Sequence, residues 1–302
     1  MDIRKVPASQ GLAWFTQAIN LGARNPKAVF GAALLFLGVL WLLALLAGLA
    51  ARTASGDGAE PDLGRVMLLA IPMFLAVMLL APVLLGGLMH VIREAEAGRP
   101  VGPLDLFAPF RQGKAPRLAL LGGLQIVLGV LGGVLMVAIA GADYWQQYLE
   151  AMQGAMSGRL PVMPQPEHPL LLTIVQLAFN YFSYALMLLS IPLMLFSGAS
   201  FAGAIRDSLR ASVRNVGANL LAGLLFVLGV LVAVIVVVLF AGFIALVGNL
   251  VHPAVGTALS TLVLLGFGAV LLVVLTGGAY VAWRDTFEGP KAPVAPAGGI
   301  EV

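Results

Sequence analysis

From Asn215 to Trp283 the chain carries no charged side chain. Two apolar stretches, 217 to 247 and 257 to 283, fill that interval on either side of a polar break at Asn249, His252 and Pro253. Crossing a hydrocarbon core about 30 Å thick takes about 20 apolar residues in a helix, so this interval reads as a membrane-spanning helical hairpin. Four more runs of the same kind lie near 27 to 50, 66 to 91, 118 to 140 and 170 to 196. The chain is 60% hydrophobic and 10% charged, with mean hydropathy +1.00, far from the roughly 25% charged residues of a soluble domain. The expected fold class is all-α, a polytopic bundle of six transmembrane helices. A cleaved signal peptide has an apolar core of about 7 to 15 residues; the first run is longer, so the first helix is expected to be retained. Without cysteine the chain holds no disulfide and no thiolate metal site.

The hairpin is repeated. RNPKAVFGAALLFLGVL, from Arg24 to Leu40, returns as RNVGANLLAGLLFVLGVL from Arg214 to Leu231. Farther along, Gly86, Gly87, Arg93, Glu94 and Gly98 align with Gly277, Gly278, Arg284, Asp285 and Gly289. Each unit therefore begins with an interfacial lead-in helix and ends on a basic foot. A third copy is expected between them, from the basic lead-in near 104 to 117 and from Pro82 and Pro192 in similar places, giving hairpins 8–98, 104–198 and 200–289. The proline- and glycine-rich tail 290–302 has the composition of a disordered end.

Basic residues alternate between the connecting segments. Arg4, Lys5, Arg24, Lys27, Arg93, Arg99, Arg111, Lys114, Arg117, Arg206, Arg210, Arg214, Arg284 and Lys291 fall on one side, leaving Arg52, Arg65 and Arg159 on the other. The positive-inside rule then puts both termini in the cytoplasm. Of these, Arg24, Lys27, Arg111, Lys114, Arg117, Arg206, Arg210 and Arg214 are the candidate contacts to anionic lipid headgroups. The feet are expected to form cross-contacts within each hairpin, Glu94 toward Arg24 or Lys27 and Asp285 toward Arg214 or Arg210, because adjacent helical residues diverge by about 100°.

In the first lead-in, Leu12, Phe15, Ala18, Ile19 and Gly22 share one helical face behind a Ser9 cap, Trp14 suits the headgroup level, and Pro26 opens the first span. Helix three holds Gly129 and Gly133 four apart, a spacing that lets helices approach closely. The connector 51 to 65 is short and acidic, whereas 141 to 169 holds a short helix with Tyr144, Trp145 and Tyr148 and then an extended, proline-rich return. Helix four is the most polar span: Thr173, Gln176, Asn180, Ser183, Met187 and Ser190 follow at steps of three and four, which places them on one face. That face is expected to point into the bundle, either as interhelical hydrogen bonds or as a polar cavity lined by Gln176, Asn180, Ser183 and Tyr184.

A search for chemistry returns little. Paired aspartates, a Ser with a His and a HExxH metal pair are all missing, and no span has a charge at its centre, where ion-coupled transport usually keeps one. The histidines, at 90, 168 and 252, fall on different membrane sides. Met152, Met156, Met163 and His168 are of the types that suit copper, but their spacing forms no motif. No catalytic residue, metal or cofactor is expected.

The stretches AWFTQAINLGARNPKAVF and GGLMHVIREAEAG, with six spans in about 300 residues, resemble an uncharacterised family of bacterial inner-membrane proteins and, more distantly, the membrane domain of glycerophosphodiester phosphodiesterases. The resemblance covers most of residues 8 to 289 and rests on boundary motifs, so it implies a bacterial inner-membrane location and carries over no functional residue. The resemblance does not extend to the phosphodiesterase's soluble catalytic domain, so that activity is not expected. The expectation is a non-enzymatic scaffold or accessory factor in envelope or lipid homeostasis, in contact with the bilayer and a membrane-protein partner and with no nucleic acid. The alternative is a small-solute or lipid pathway lined by helix four.

Overall fold

A computed structural model describes residues 2–55, 63–141, 143–156, 160 and 163–289. The 290–302 tail and the acidic centre of the first connector lie outside them. Among the described residues there is no strand, and six helices are long and apolar enough to cross a membrane. The first lead-in is α1 (Gln10–Asn20), followed by the long pair α2 (Pro26–Ser55) and α3 (Leu63–Glu96). A 3-10 turn at Pro103–Phe107 and the short α4 (Ala108–Arg111) lead to α5 (Ala115–Ala140). Then come α6 (Tyr144–Met156) and α7 (Pro169–Phe196), which is the polar fourth span. The last lead-in is α8 (Phe201–Arg214), before α9 (Val216–Asn249) and α10 (Pro253–Trp283), which runs on into a π-turn at Arg284–Glu288.

The six spans match the apolar runs because in lipid a helix continues until polar residues can meet water. Pro26 opens α2, where its missing N–H costs nothing, and Asn25 Oδ1 accepts the Ala28 N–H at 3.2 Å. The α3, α7 and π-turn ends are followed by Gly98, Gly198 and Gly289 at φ of 66° to 79°, the left-handed conformation in which glycine alone lacks a steric cost. α3 runs unbroken through Pro72 and Pro82.

Packing is uneven along the membrane normal. At the basic end Val29, Leu84, Leu88, Met89, Ile92, Leu118, Ile191 and Leu193 are fully buried in one cluster. Toward the other end large apolar side chains face outward, and Leu68, Val134, Leu170 and Leu239 expose 64 to 74% of their surface. A water-soluble chain would not present so much apolar area, whereas lipid tails cover it without penalty. At the far end α9 and α10 approach closely through Gly248, whose added Cβ would strike the Gly256 backbone.

The second and third lead-ins dock on the hairpins that precede them, and the first docks on the last hairpin. α1 packs on α9 and α10, the 3-10 turn on α2 and α3, and α8 on α7. The structure corrects four sequence expectations. The buried face of α1 is Gly11, Trp14, Ala18 and Leu21, while Leu12 and Ile19 turn outward at 51% and 54% exposure. Trp14 is buried against protein rather than set among headgroups, and Ser9 makes no side-chain cap. In α5 the close approaches fall at Gly122, against the Met78 carbonyl, and at Gly132, against the Phe179 ring; Gly129 and Gly133 meet nothing.

Candidate functional site

Where α3 and α10 leave the apolar zone, their last turns and α1 enclose a polar basin of about 930 Å³. The N-terminal segment Arg4–Pro7 and Arg24 complete its wall. The segment is held by Asn215, which is buried: its Oδ1 accepts the Val6 N–H and its Nδ2 donates to the Arg4 carbonyl, both at 2.9 Å. The Arg4 N–H in turn donates to the Thr286 carbonyl of the π-turn at 3.0 Å. A π-turn widens the helix by one residue, and around this one Arg284, Asp285 and Glu288 all reach the basin.

Asp285 ties α1 down. Its Oδ2 accepts from Gln10 Nε2 at 2.8 Å and from Trp14 Nε1 at 3.0 Å, and its Oδ1 faces Arg284 Nε at 3.1 Å. Arg284 Nη2 also donates to Gln17 Oε1 at 2.8 Å. On the opposite wall the Arg93 guanidinium lies 4.4 Å over the Phe196 ring and 5.9 Å from that of Trp283, a stacking that stabilises a cation, and pairs with Glu288 at 3.3 Å. Glu94 is paired with Arg99 in a two-pronged bridge, and Arg24 donates to the Glu96 carbonyl at the end of α3.

The partners expected for the feet are therefore different. Glu94 takes Arg99, five residues on across the Gly98 turn, and Asp285 takes its neighbour Arg284 with Gln10 and Trp14. The neighbour pair forms because both side chains bend toward the α1 docking face. Three basic residues expected at headgroups have contacts within the protein. Arg24 caps α3, Lys114 Nζ caps α7 through the Leu195 carbonyl at 2.7 Å, and Arg111 pairs with Asp105. Chiefly the Gly102 N–H, with help from Arg111, holds the Asp105 carboxyl below its ordinary range against the cost of burial. Lys27, Arg117, Arg206, Arg210 and Arg214 are exposed, Arg206 facing Asp207 at 3.2 Å.

The polar face of α7 divides in two. Ser183 and Ser190 are buried, and Ser190 Oγ meets Ser208 Oγ of α8 at 2.8 Å. Beside them Tyr181 donates to the Ser212 carbonyl at 2.8 Å and accepts from Asn219 at 3.2 Å. Gln176 and Asn180, nearer the far end, are exposed, and so is Tyr184 beside the stripe. Only the inner half of the stripe points into protein, because α8 covers that half alone. Of the basin residues, Arg4 was legible only as one of the basic residues of this side, and Gln10 and Gln17 only as polar positions of the first lead-in.

Among the described residues no three His, Asp or Glu side chains gather as metal ligands. The arrangement offers fixed positive charge and hydrogen-bond donors at a membrane boundary, so what it can do is hold an anion. No protein-family model matches this chain, and no curated protein or solved structure matches it.

Proposed function

We propose that the chain is a multi-pass protein of the bacterial inner membrane, with both termini in the cytoplasm, that acts without chemistry of its own. Its role is that of a scaffold or accessory factor in envelope or lipid homeostasis, resembling the inner-membrane family whose boundary motifs it shares. One observation carries this reading: the largest fully buried apolar side chains of the described residues cluster toward the basic end, and the large polar recess lies at that boundary rather than along a path between the two faces. The pathway alternative draws on Gln176, Asn180 and Tyr184, which stand exposed on a spanning helix.

The same reading takes the chain as three copies of one hairpin. Arg24 and Lys114 each cap the second helix of their own hairpin from just before its first helix. Asn25 and Asn215 each hold the extended stretch ahead of the next lead-in, Asn25 through Val101 and Asn215 through Arg4.

Two measurements test it. Reporters fused after Gly98, Ser212 and Gly289 should read as cytoplasmic, and those after Ser55, Ser157 and Asn249 as periplasmic; periplasmic activity at Gly98 would overturn the topology. Purification of the full chain followed by mass spectrometry should recover a stoichiometric protein partner, whereas a retained small solute in its place would favour the pathway.

A further inference from the structure

Resting on the reading that the basic end meets anionic lipid, we propose that the basin between α1, α3 and α10 is a binding site for the phosphate-bearing headgroup of an anionic phospholipid. Six cations line it against the carboxylates of Glu96, Asp285 and Glu288. Three of the six are matched: Arg93 by Glu288, Arg284 by Asp285, and Arg99 by Glu94 from outside the basin. Among the described residues, that leaves Arg4, Lys5 and Arg24 against Glu96, an excess of two positive charges.

Helix C-termini carry about half a negative charge each, and two of them, α3 and α10, end here. The Arg24 hydrogen bond to the Glu96 carbonyl answers one of these ends, so a net positive field of one to two charges survives. That suits a phosphodiester, which arginine and lysine bind through charge-assisted hydrogen bonds. A volume of about 930 Å³ is on the scale of sites for whole small molecules, larger than a lone phosphate needs.

The wall itself favours lipid as the source of that phosphate. Leu12 and Ile19 on the outward face of α1 are about half exposed, which seats this helix at the bilayer surface. Basic pockets between spanning helices at such a boundary are an established mode of phospholipid headgroup recognition.

The test uses the full chain in a neutral detergent, with cardiolipin, phosphatidylglycerol, phosphatidylcholine and inorganic phosphate supplied at equal phosphate concentration. Binding is read by native mass spectrometry and by the shift in melting temperature. The two anionic lipids should bind and stabilise, and the other two should not. Replacing both Arg4→Gln and Lys5→Gln, exposed side chains at the rim, should weaken the anionic lipids roughly 25-fold, about fivefold per cation. Gln112→Glu with Ala202→Glu makes the same change in net charge at exposed positions of the basic end outside the basin and should leave affinity within about threefold. If the double variant melts early without lipid, Lys5→Gln alone, at about fivefold, takes its place. Equal weakening by both pairs would reduce the effect to diffuse surface attraction, and stabilisation by inorganic phosphate equal to that by lipid would make this a soluble-anion site. Either result, or no binding at all, overturns the proposal. A lipid affinity lost with the rim cations stands even if no protein partner copurifies, so the site and the role fail separately.

Discussion

Asp285 answers three donors at once, and two of them, Gln10 and Trp14, come from the opposite end of the chain. Trp14 is only 1% exposed, so its indole N–H has no water to turn to if the carboxylate is removed. A buried donor left without an acceptor costs about 1 to 3 kcal/mol, and a hydrogen bond to a charged group contributes about 1.5 to 3 kcal/mol. Asp285→Ala should therefore destabilise the protein by about 2 to 4 kcal/mol in detergent denaturation, and Asp285→Asn, which keeps one acceptor oxygen, by about half as much. An alanine variant as stable as the parent would mean that α1 is held by its apolar face alone. That this acid needs a partner outside its own helix was legible from its place at a helix C-terminus, where the dipole disfavours it; its pairing with the adjacent Arg284 was not expected. The partners were not: Gln10 and Trp14 reach it only through the docking of α1, which no local spacing encodes.

At the scale of elements, the glycines separate contact from composition. A Cβ at Gly87 would collide with the Leu106 carbonyl of the 3-10 turn, and one at Gly122 with the Met78 carbonyl of α3. Around Gly129 and Gly133 there is open space. Gly87→Ala and Gly122→Ala should push neighbouring backbone aside and cost about 1 to 3 kcal/mol, the usual penalty of overpacking. Gly129→Ala should instead gain stability, since alanine exceeds glycine in helix propensity by up to about 1 kcal/mol. Thermal unfolding of the three variants in one detergent checks the order, and a harmful Gly129→Ala would show that α5 has a partner on that face. The six spans were readable because length and hydropathy decide them; which glycine meets a neighbour depends on helix rotation, which a uniformly apolar helix leaves unmarked. The same limit explains α1, whose Leu12 and Ile19 were as apolar as the Trp14, Ala18 and Leu21 that it buries.

Across the whole molecule, the lead-ins close the chain on itself. The 3-10 turn and α8 rest on the hairpins immediately before them, and α1 rests on the last, α9 and α10. Charge alternation and the matching feet already placed every lead-in at the basic end, but the offset of each onto another hairpin could not be read there, since the apolar surfaces involved are chemically alike. Closure makes a prediction about distance along the chain. Trp14 and Leu21 are 1% and 3% exposed, and burying side chains of this kind stabilises by about 1.5 to 3 kcal/mol each. Removing residues 2 to 22 should therefore cost about 3 kcal/mol or more. The loss should appear far from the deletion. In hydrogen-exchange mass spectrometry, peptides covering 276 to 288 should lose protection, because α1 leaves the α10 end and Asp285 loses two of its donors. Peptides from 30 to 40 of α2, next to the deletion in sequence, should keep theirs, since that part of α2 packs on α3, α10 and the 3-10 turn rather than on α1. Deprotection confined to residues 30 to 40 would show that α1 serves only as the start of its own hairpin, and the ring of docked lead-ins would be wrong.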